Sequence, residues 1–329
     1  MQRIPELDGL RAVAILPVLA FHAEGRFFPG GFLGVDLFFV LSGFLITGLL
    51  IDEMRTTGVI YLRNFYRRRA LRILPPLFAA IALAMALSRI DPGVALAAIL
   101  FYANLLDPAT MGTLSHTWSL SVEEHFYLAW PFLFTLRRKS LILAIAIFVA
   151  IGVRFILMAE AVDPVRIHRF TFAHVDALAI GCFCAIHFAR LRLIVNREWL
   201  SVCALAAMGF CFVATGMNSS VMISWGFTAF AVVCAIALVS ILSIDEDSAV
   251  RRLMRNPALR YIGLRSYGLY LYHFPVFTAL SYLQVAGSPA KNLLVTALKI
   301  AVTFAVAELS YRSIERYAAK LRLPQPAVV

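Results

Sequence analysis

The sequence predicts an all-α polytopic membrane protein, with about ten transmembrane helices and one re-entrant segment. Two observations carry that prediction. Hydrophobic residues make up 61% of the chain and charged residues 15%, against roughly 45–50% apolar and about 25% charged in soluble domains. The apolar residues also gather in runs near the ~20 residues that a bilayer requires. The runs are 8–25, 32–52, 73–90, 118–136, 140–158, 173–189, 199–216, 221–243, 265–285 and 291–311.

The first run is not a signal peptide, because Glu6 and Asp8 precede it and no small-x-small cleavage site follows. A further stretch, 93–106, is rich in Ala and Leu but short, and it decides the topology. Basic clusters lie at Arg63, Arg67, Arg68, Arg69 and Arg72; at Arg137, Arg138 and Lys139; at Arg190, Arg192 and Arg197; at Arg251, Arg252, Arg255 and Arg260; and at Arg312, Arg316, Lys320 and Arg322. If 93–106 crosses the bilayer, the Arg137 cluster and two later ones fall outside. If it is re-entrant, all five share one side, which the positive-inside rule makes cytoplasmic. The second arrangement is expected, with both termini cytoplasmic.

One transmembrane domain is expected over 1–329, its last part, 313–329, a short cytoplasmic tail. The net charge of +11 suits basic cytoplasmic loops on such a chain, and nucleic acid is not expected as a partner. Five cysteines, with no CxxC spacing, read as small buried apolar residues rather than a disulfide framework or a metal site. No metal is expected.

Arg11 and His22 stand out inside the first run. Eleven residues at ~100° each return His22 to within about 20° of the Arg11 face, ~16 Å along the helix axis. A cation and an imidazole on one stripe of a membrane helix are costly unless the stripe lines a polar path. Pro29-Gly30-Gly31 marks the turn to the second helix, so Asp36 is expected at the depth of His22. A carboxylate there orients an imidazole. The segment from His116 to Tyr127 opens another helix at that depth. Ser119, Glu123 and Tyr127 share a face at i, i+4 and i+8, and the adjacent carboxylates Glu123 and Glu124 suggest acid–base chemistry. On the other side, Arg69 and Arg72 fall three apart on one face, a spacing that suits a phosphate. For the neighbouring arginines a topology signal is the simpler reading.

These residues resemble the acyltransferase-3 family of integral membrane acyltransferases. The Arg-x10-His pair is Arg11 and His22. Phe32-Leu33-Gly34-Val35-Asp36-Leu37-Phe38-Phe39-Val40-Leu41-Ser42-Gly43-Phe44-Leu45-Ile46 matches a second family block. Arg69 and Arg72 form the Arg-x-x-Arg pair. Trp118-Ser119-Leu120-Ser121-Val122-Glu123-Glu124-His125-Phe126-Tyr127 matches a third block, with His125 in place of Gln. Tyr267-Gly268-Leu269-Tyr270-Leu271-Tyr272-His273-Phe274-Pro275 looks like another. The terminal Glu-Arg-Pro appears as Glu315-Arg316-Tyr317, without its proline.

The resemblance implies an O-acyltransferase of the bacterial inner (cytoplasmic) membrane. It would move an acyl group, commonly acetyl from acetyl-CoA as co-substrate, to a hydroxyl of a carbohydrate or other small molecule, with no tightly bound cofactor. Some family members carry an SGNH-type domain; this chain is expected to be without one, and to act alone or pass its acyl group to a partner. On that picture His22 and Arg11 carry the chemistry, and Asp36 and Glu123 orient or stabilise His22. Arg69 and Arg72 bind the donor, and Trp118, Ser119, Ser121 and Tyr127 meet the acceptor. His22 as general base and His22 as acyl carrier both stay open. So do the acyl length, the oligomeric state and the acceptor, whether a cell-surface polysaccharide or a smaller molecule. The rival class is a transporter or flippase with a proton path along Arg11 and His22. For His273, Lys299, Glu308 and Arg154 the default is interhelical pairing, whereas His174 and Asp176 sit where an acceptor site is expected.

Overall fold

The computed structural model describes residues 4–321. Arg322 and the end of the expected tail lie outside the described residues. The protein is all-α and polytopic, and no strand occurs among the described residues. Its principal helices are α1 (Pro5–Glu24), α2 (Gly34–Thr57), α3 (Leu62–Leu87), the short α4 (Pro92–Ile99), α5 (Trp118–Phe134), α6 (Lys139–Ala159), α7 (Asp176–Val195), α8 (Glu198–Ala214), α9 (Phe227–Ser243), α10 (Pro257–Leu280) and α11 (Pro289–Ser310). Apart from α4, each overlaps one of the ten apolar runs. Six helical segments among the described residues are long and apolar enough to cross a membrane by length and composition.

The stretch 93–106 breaks for identifiable reasons. Asp91 caps α4 by accepting from the Gly93 amide at 2.7 Å, and Pro92 supplies a first-turn residue with no amide to satisfy. Eight residues later the helix ends, and Phe101 adopts φ 58°, a left-handed conformation no helix continues through. A helix of this length is about 12 Å long, far short of a hydrocarbon core. Ser88, which ends α3, then meets Thr113 with their hydroxyls 3.3 Å apart. The chain therefore returns to the level at which it left α3.

The helices fall into two compact units. The first comprises residues up to Phe21, Gly25–Asp52 and Val122–Leu264. Here α2 and α7 cross at close range. A Cβ on Gly43 would lie 2.1 Å from the Leu178 carbonyl oxygen, and one on Gly181 would lie 2.1 Å from that of Val40. Small residues at such a crossing let two backbones pack without a hydrophobic driving force. Arg154 of α6 is fully buried and makes four hydrogen bonds. It donates to the Ser224 carbonyl at 3.0 Å, the Ala173 carbonyl at 2.8 Å, Asp176 Oδ2 at 2.9 Å and Thr228 Oγ1 at 2.5 Å. Thr228 in turn donates to Asp176. Interhelical pairing is thus the role of Arg154. The Ser224 carbonyl belongs to a π-helical turn, Met222–Gly226, that leads into α9.

The second unit comprises His22–Glu24, Glu53–Ser121 and the chain from Arg265 onward. Two tyrosines of α10 tie it to α3 beside the Pro75-Pro76 pair. Tyr267 donates to the Ile73 carbonyl at 2.9 Å, and Tyr272 to the Pro76 carbonyl at 3.3 Å. The helix of α11 runs on through a π turn, Tyr311–Glu315, and Arg316–Lys320. The tail expected from 313 is therefore helical as far as Lys320. Glu308 binds Arg265 and Arg312, and the Arg265 guanidinium lies 4.5 Å from the Tyr311 ring centroid.

Candidate active site

A histidine cluster in the second unit gathers around α10. His22, in the last turn of α1, is partly accessible, whereas His116 and His273 are buried. His273 Nδ1 lies 2.6 Å from the carbonyl oxygen of Tyr270, one turn earlier on its own helix. A carbonyl only accepts, so Nδ1 carries the proton. In the neutral ring Nε2 then holds the lone pair. That nitrogen is 3.3 Å from His22 Nδ1, which must be the donor. The hydrogen-bond partners thus assign His22 a protonated Nδ1 and a lone pair on Nε2.

The surroundings hold these rings in place. Phe274 meets His22 edge-on at 5.2 Å and stacks on His116 at 5.3 Å. His116 Nε2 donates to the Leu271 carbonyl at 3.1 Å. The Tyr270 hydroxyl lies 2.6 Å from both the His116 carbonyl and Ser119 Oγ. The carbonyl contact fixes where the tyrosine proton goes: the His116 carbonyl can only accept it, so the serine hydroxyl donates to the tyrosine oxygen.

The first unit carries two other groups of predicted residues. Glu123 and Tyr127 share a face, as their spacing requires, and both engage α2. Ser42 donates to Glu123, while the Tyr127 hydroxyl lies 2.8 Å from Ser42 Oγ and 3.2 Å from Glu123 Oε1. Below them Trp130 donates to Thr47 at 2.9 Å. His125, the departure from the family block, has its Nδ1 2.9 Å from Thr171 Oγ1.

Asp36 forms the second group. The sequence reading pairs Asp36 with His22, but the structure gives each another partner. Asp36 Oδ1 accepts from His174 Nε2 at 2.8 Å, both side chains fully buried. The His174 ring packs against Phe39, His168 and Phe227. The residue beside His22 is His273, 251 positions along the chain.

Arg11 lies 3.5 Å from Asp8, one turn toward the start of α1. On α3, Arg68 reaches Glu53 at 3.5 Å, whereas Arg69 is half-buried and Arg72 exposed. The four expected acceptor residues, Trp118, Ser119, Ser121 and Tyr127, are all buried. Ser121 donates within its own helix, to the Thr117 carbonyl at 3.3 Å. His116, Tyr270 and His273 are not among the residues that the sequence singles out as a site, although Tyr270 and His273 lie in one of the family-like blocks. Among the described residues, no group of three or more His, Cys, Asp or Glu side chains is placed to hold a metal ion.

Comparison with known proteins agrees with this chemistry. A family model described as an acyltransferase domain matches residues 4–312. The chain is 31% identical over 347 residues to peptidoglycan O-acetyltransferase OatA of Listeria monocytogenes serovar 1/2a, covering 95% of this chain and 55% of that protein. It is 29% identical to O-acetyltransferase OatA of Staphylococcus aureus strain NCTC 8325, with 95% and 56% covered. It is 30% identical to the putative peptidoglycan O-acetyltransferase YrhL of Bacillus subtilis strain 168, with 95% and 54% covered. The chain thus spans a little over half the length of these curated relatives. No solved structure matches it.

Proposed function

The chain belongs to the acyltransferase family that its residues 4–312 match, and from that premise we propose that it is a membrane O-acetyltransferase. It moves acetyl from acetyl-CoA to a hydroxyl of a cell-wall glycan. The family membership replaces the transporter alternative. The relatives' names point to peptidoglycan as the acceptor.

The observation that carries the mechanism is the chain from the Tyr270 carbonyl through His273 to His22. It leaves the lone pair on Nε2 of His22, the partly accessible residue of the pair. That nitrogen takes the proton of the acceptor hydroxyl as the oxygen attacks the thioester carbonyl carbon. The tetrahedral adduct then expels the CoA sulfur, and the His22 imidazolium returns the proton to it. General-base assistance of this kind is worth about 10²–10⁴-fold. His273 acts as a positioning residue, holding the His22 tautomer as a carboxylate does elsewhere.

The donor enters from the cytoplasmic side of the bacterial inner membrane, where the basic clusters and both termini lie. Arg69 and Arg72 grip its phosphates. Transfer of labelled acetyl from acetyl-CoA to a peptidoglycan fragment by the purified protein tests this reading. Wild type should transfer and His22→Ala should not, with insertion and folding unchanged. Transfer by the His22→Ala protein at the wild-type rate would remove His22 from the mechanism.

A further inference from the structure

The first unit carries an apolar cleft that acyl transfer does not use. It measures about 320 Å³ and lies between α6, α7 and α9. A stripe of α7, Ile180, Cys184, Leu191 and Val195, runs along it, and α9 lines it from Val232 to Val239. Every side chain that lines it is apolar. Ile180 and Cys184 are buried whereas Val232 is exposed, so the cleft opens to the outside of the bundle. From Ile180 to Val195 the helix rises about 22 Å, more than the ~15 Å of hydrocarbon in one leaflet. The three helices belong to segments long and apolar enough to cross a membrane, so the cleft faces hydrocarbon. An empty groove there forfeits dispersion contacts, and a flexible unbranched chain restores them.

Cations gather at one end of it. Arg190 and Arg192 flank Leu191 in the chain. Ser140 Oγ, 2.9 Å from His187 Nε2, brings the start of α6 to the same end, and with it Arg137 and Arg138. All four arginines are exposed, and no carboxylate among the described residues pairs with any of them. A second basic cluster of this unit differs: Glu6 and Glu246 neutralise Arg251 and Arg255. Uncommitted cations at the end of a chain-shaped groove complement a phosphate that carries acyl chains. A soluble anion would leave the groove empty.

We propose that this cleft is a binding site for one anionic phospholipid of the surrounding bilayer. One acyl chain lies along the α7 stripe, and the headgroup phosphate sits among Arg137, Arg138, Arg190 and Arg192. The lipid comes from the leaflet on the basic side. The site is independent of the acyl-transfer reading, since none of its residues belongs to the histidine cluster.

Crosslinking locates the lipid and measures its charge preference. Phosphatidylglycerol with a diazirine in one acyl chain is photolysed with the full chain in phosphatidylcholine nanodiscs, and the modified peptides are mapped. Modification should concentrate on α7 between Ile180 and Val195 and on the facing turns of α9. Phosphatidylcholine with the same diazirine chain should label these turns about five-fold less, or weaker still. Arg190→Gln combined with Arg192→Gln should reduce that preference, and Ala144→Phe, which fills the cleft, should lower labelling by both lipids. Equal labelling of wild type by the two lipids overturns the proposal, and this comparison needs no variant to fold. Labelling spread evenly over the exposed faces of the other helices also overturns it, because it describes ordinary boundary lipid. So does a dimer whose interface covers the cleft, since a second copy would then be the occupant.

Discussion

His273 and His22 face each other across 3.3 Å, Nε2 to Nδ1, and the other nitrogen of His273 is tied to the Tyr270 carbonyl. In the proposed mechanism a histidine thereby does for His22 what a carboxylate does in many catalytic sites. The difference matters in a bilayer. A neutral imidazole orients its partner without placing a second charge in a low-dielectric bundle, where an isolated charge is heavily penalised.

The first prediction follows from that relay. His273→Ala should lower kcat for acetyl transfer about 10–100-fold, by analogy with the loss when the hydrogen-bond partner of a metal-ligating histidine is removed, with donor KM within a factor of two. His273→Gln should recover much of the loss, because its side-chain carbonyl can accept from His22 Nδ1. Rates for the three proteins across pH 5–9 decide the matter. A Gln variant no better than Ala would mean that His273 only fills space.

Much of this architecture was legible in the chain. Apolar runs located the principal helices among the described residues because the bilayer sets the length of a spanning segment. The Arg-x10-His spacing put Arg11 and His22 on one helix, as they are, because helical periodicity is local. The partner of His22 was not legible. Depth along adjacent helices placed Asp36 near it, but depth says nothing of which way a side chain points around its helix. Asp36 turns to His174, 138 residues away, and His22 to His273 on α10. The partner of Ser121 was not legible either. A serine one turn into a helix can satisfy itself on the carbonyl four residues back, and this one does.

The second prediction concerns stability in the first unit. Asp176→Asn should destabilise the protein by about 3–5 kcal/mol, since it strands the charge of a fully buried Arg154. The double variant Arg154→Met with Asp176→Asn should be more stable than Asp176→Asn alone, because the uncompensated charge is gone. Thermal unfolding in detergent measures both. A double variant less stable than either single one would mean that Arg154 contributes mainly through its carbonyl contacts to Ala173 and Ser224.

A third prediction comes from the α2–α7 crossing. Gly43→Ala or Gly181→Ala puts a methyl group about 2.1 Å from a backbone carbonyl oxygen on the facing helix. Neither helix can yield without separating, so each substitution should cost about 1–3 kcal/mol, as overpacking does. Gly152→Ala is the control, since nothing lies within 4 Å of its added Cβ. It should be neutral or slightly stabilising, as a helical glycine replaced by alanine is. Equal melting temperatures for the three proteins would show that the two helices are not in close contact in the membrane.

The Ser88–Thr113 contact gives a fourth. Cysteines placed at Asp91 and Thr113, on a background lacking the native cysteines, should label from the same side of the membrane. A cysteine at Arg138 should label only from the other side. Labelling of positions 91 and 113 from opposite sides would turn α4 and its flanks into a crossing, and every later helix would invert.

The last prediction separates four arginines that the sequence presents together. Arg68 is committed to Glu53, which also accepts from the Tyr61 amide at 3.3 Å, so it braces the connection between α2 and α3. Arg67 is exposed on another face of α3. Arg69 and Arg72 lie one turn apart and can share one ligand. Each phosphate contact is a charge-assisted hydrogen bond worth about 1.5–3 kcal/mol, or roughly 10–150-fold in affinity. Arg69→Ala and Arg72→Ala should therefore weaken acetyl-CoA binding by that factor and leave acceptor KM nearly unchanged. Arg67→Ala should have little effect, and Arg68→Ala should lower stability more than donor affinity. None of the four should invert the protein alone, because the others keep the positive charge on the same side. Binding of acetyl-CoA to each variant, read alongside its melting temperature, distinguishes the roles. Equal small losses at all four positions would describe a diffuse basic surface against anionic lipid, and the phosphate grip would have to be abandoned.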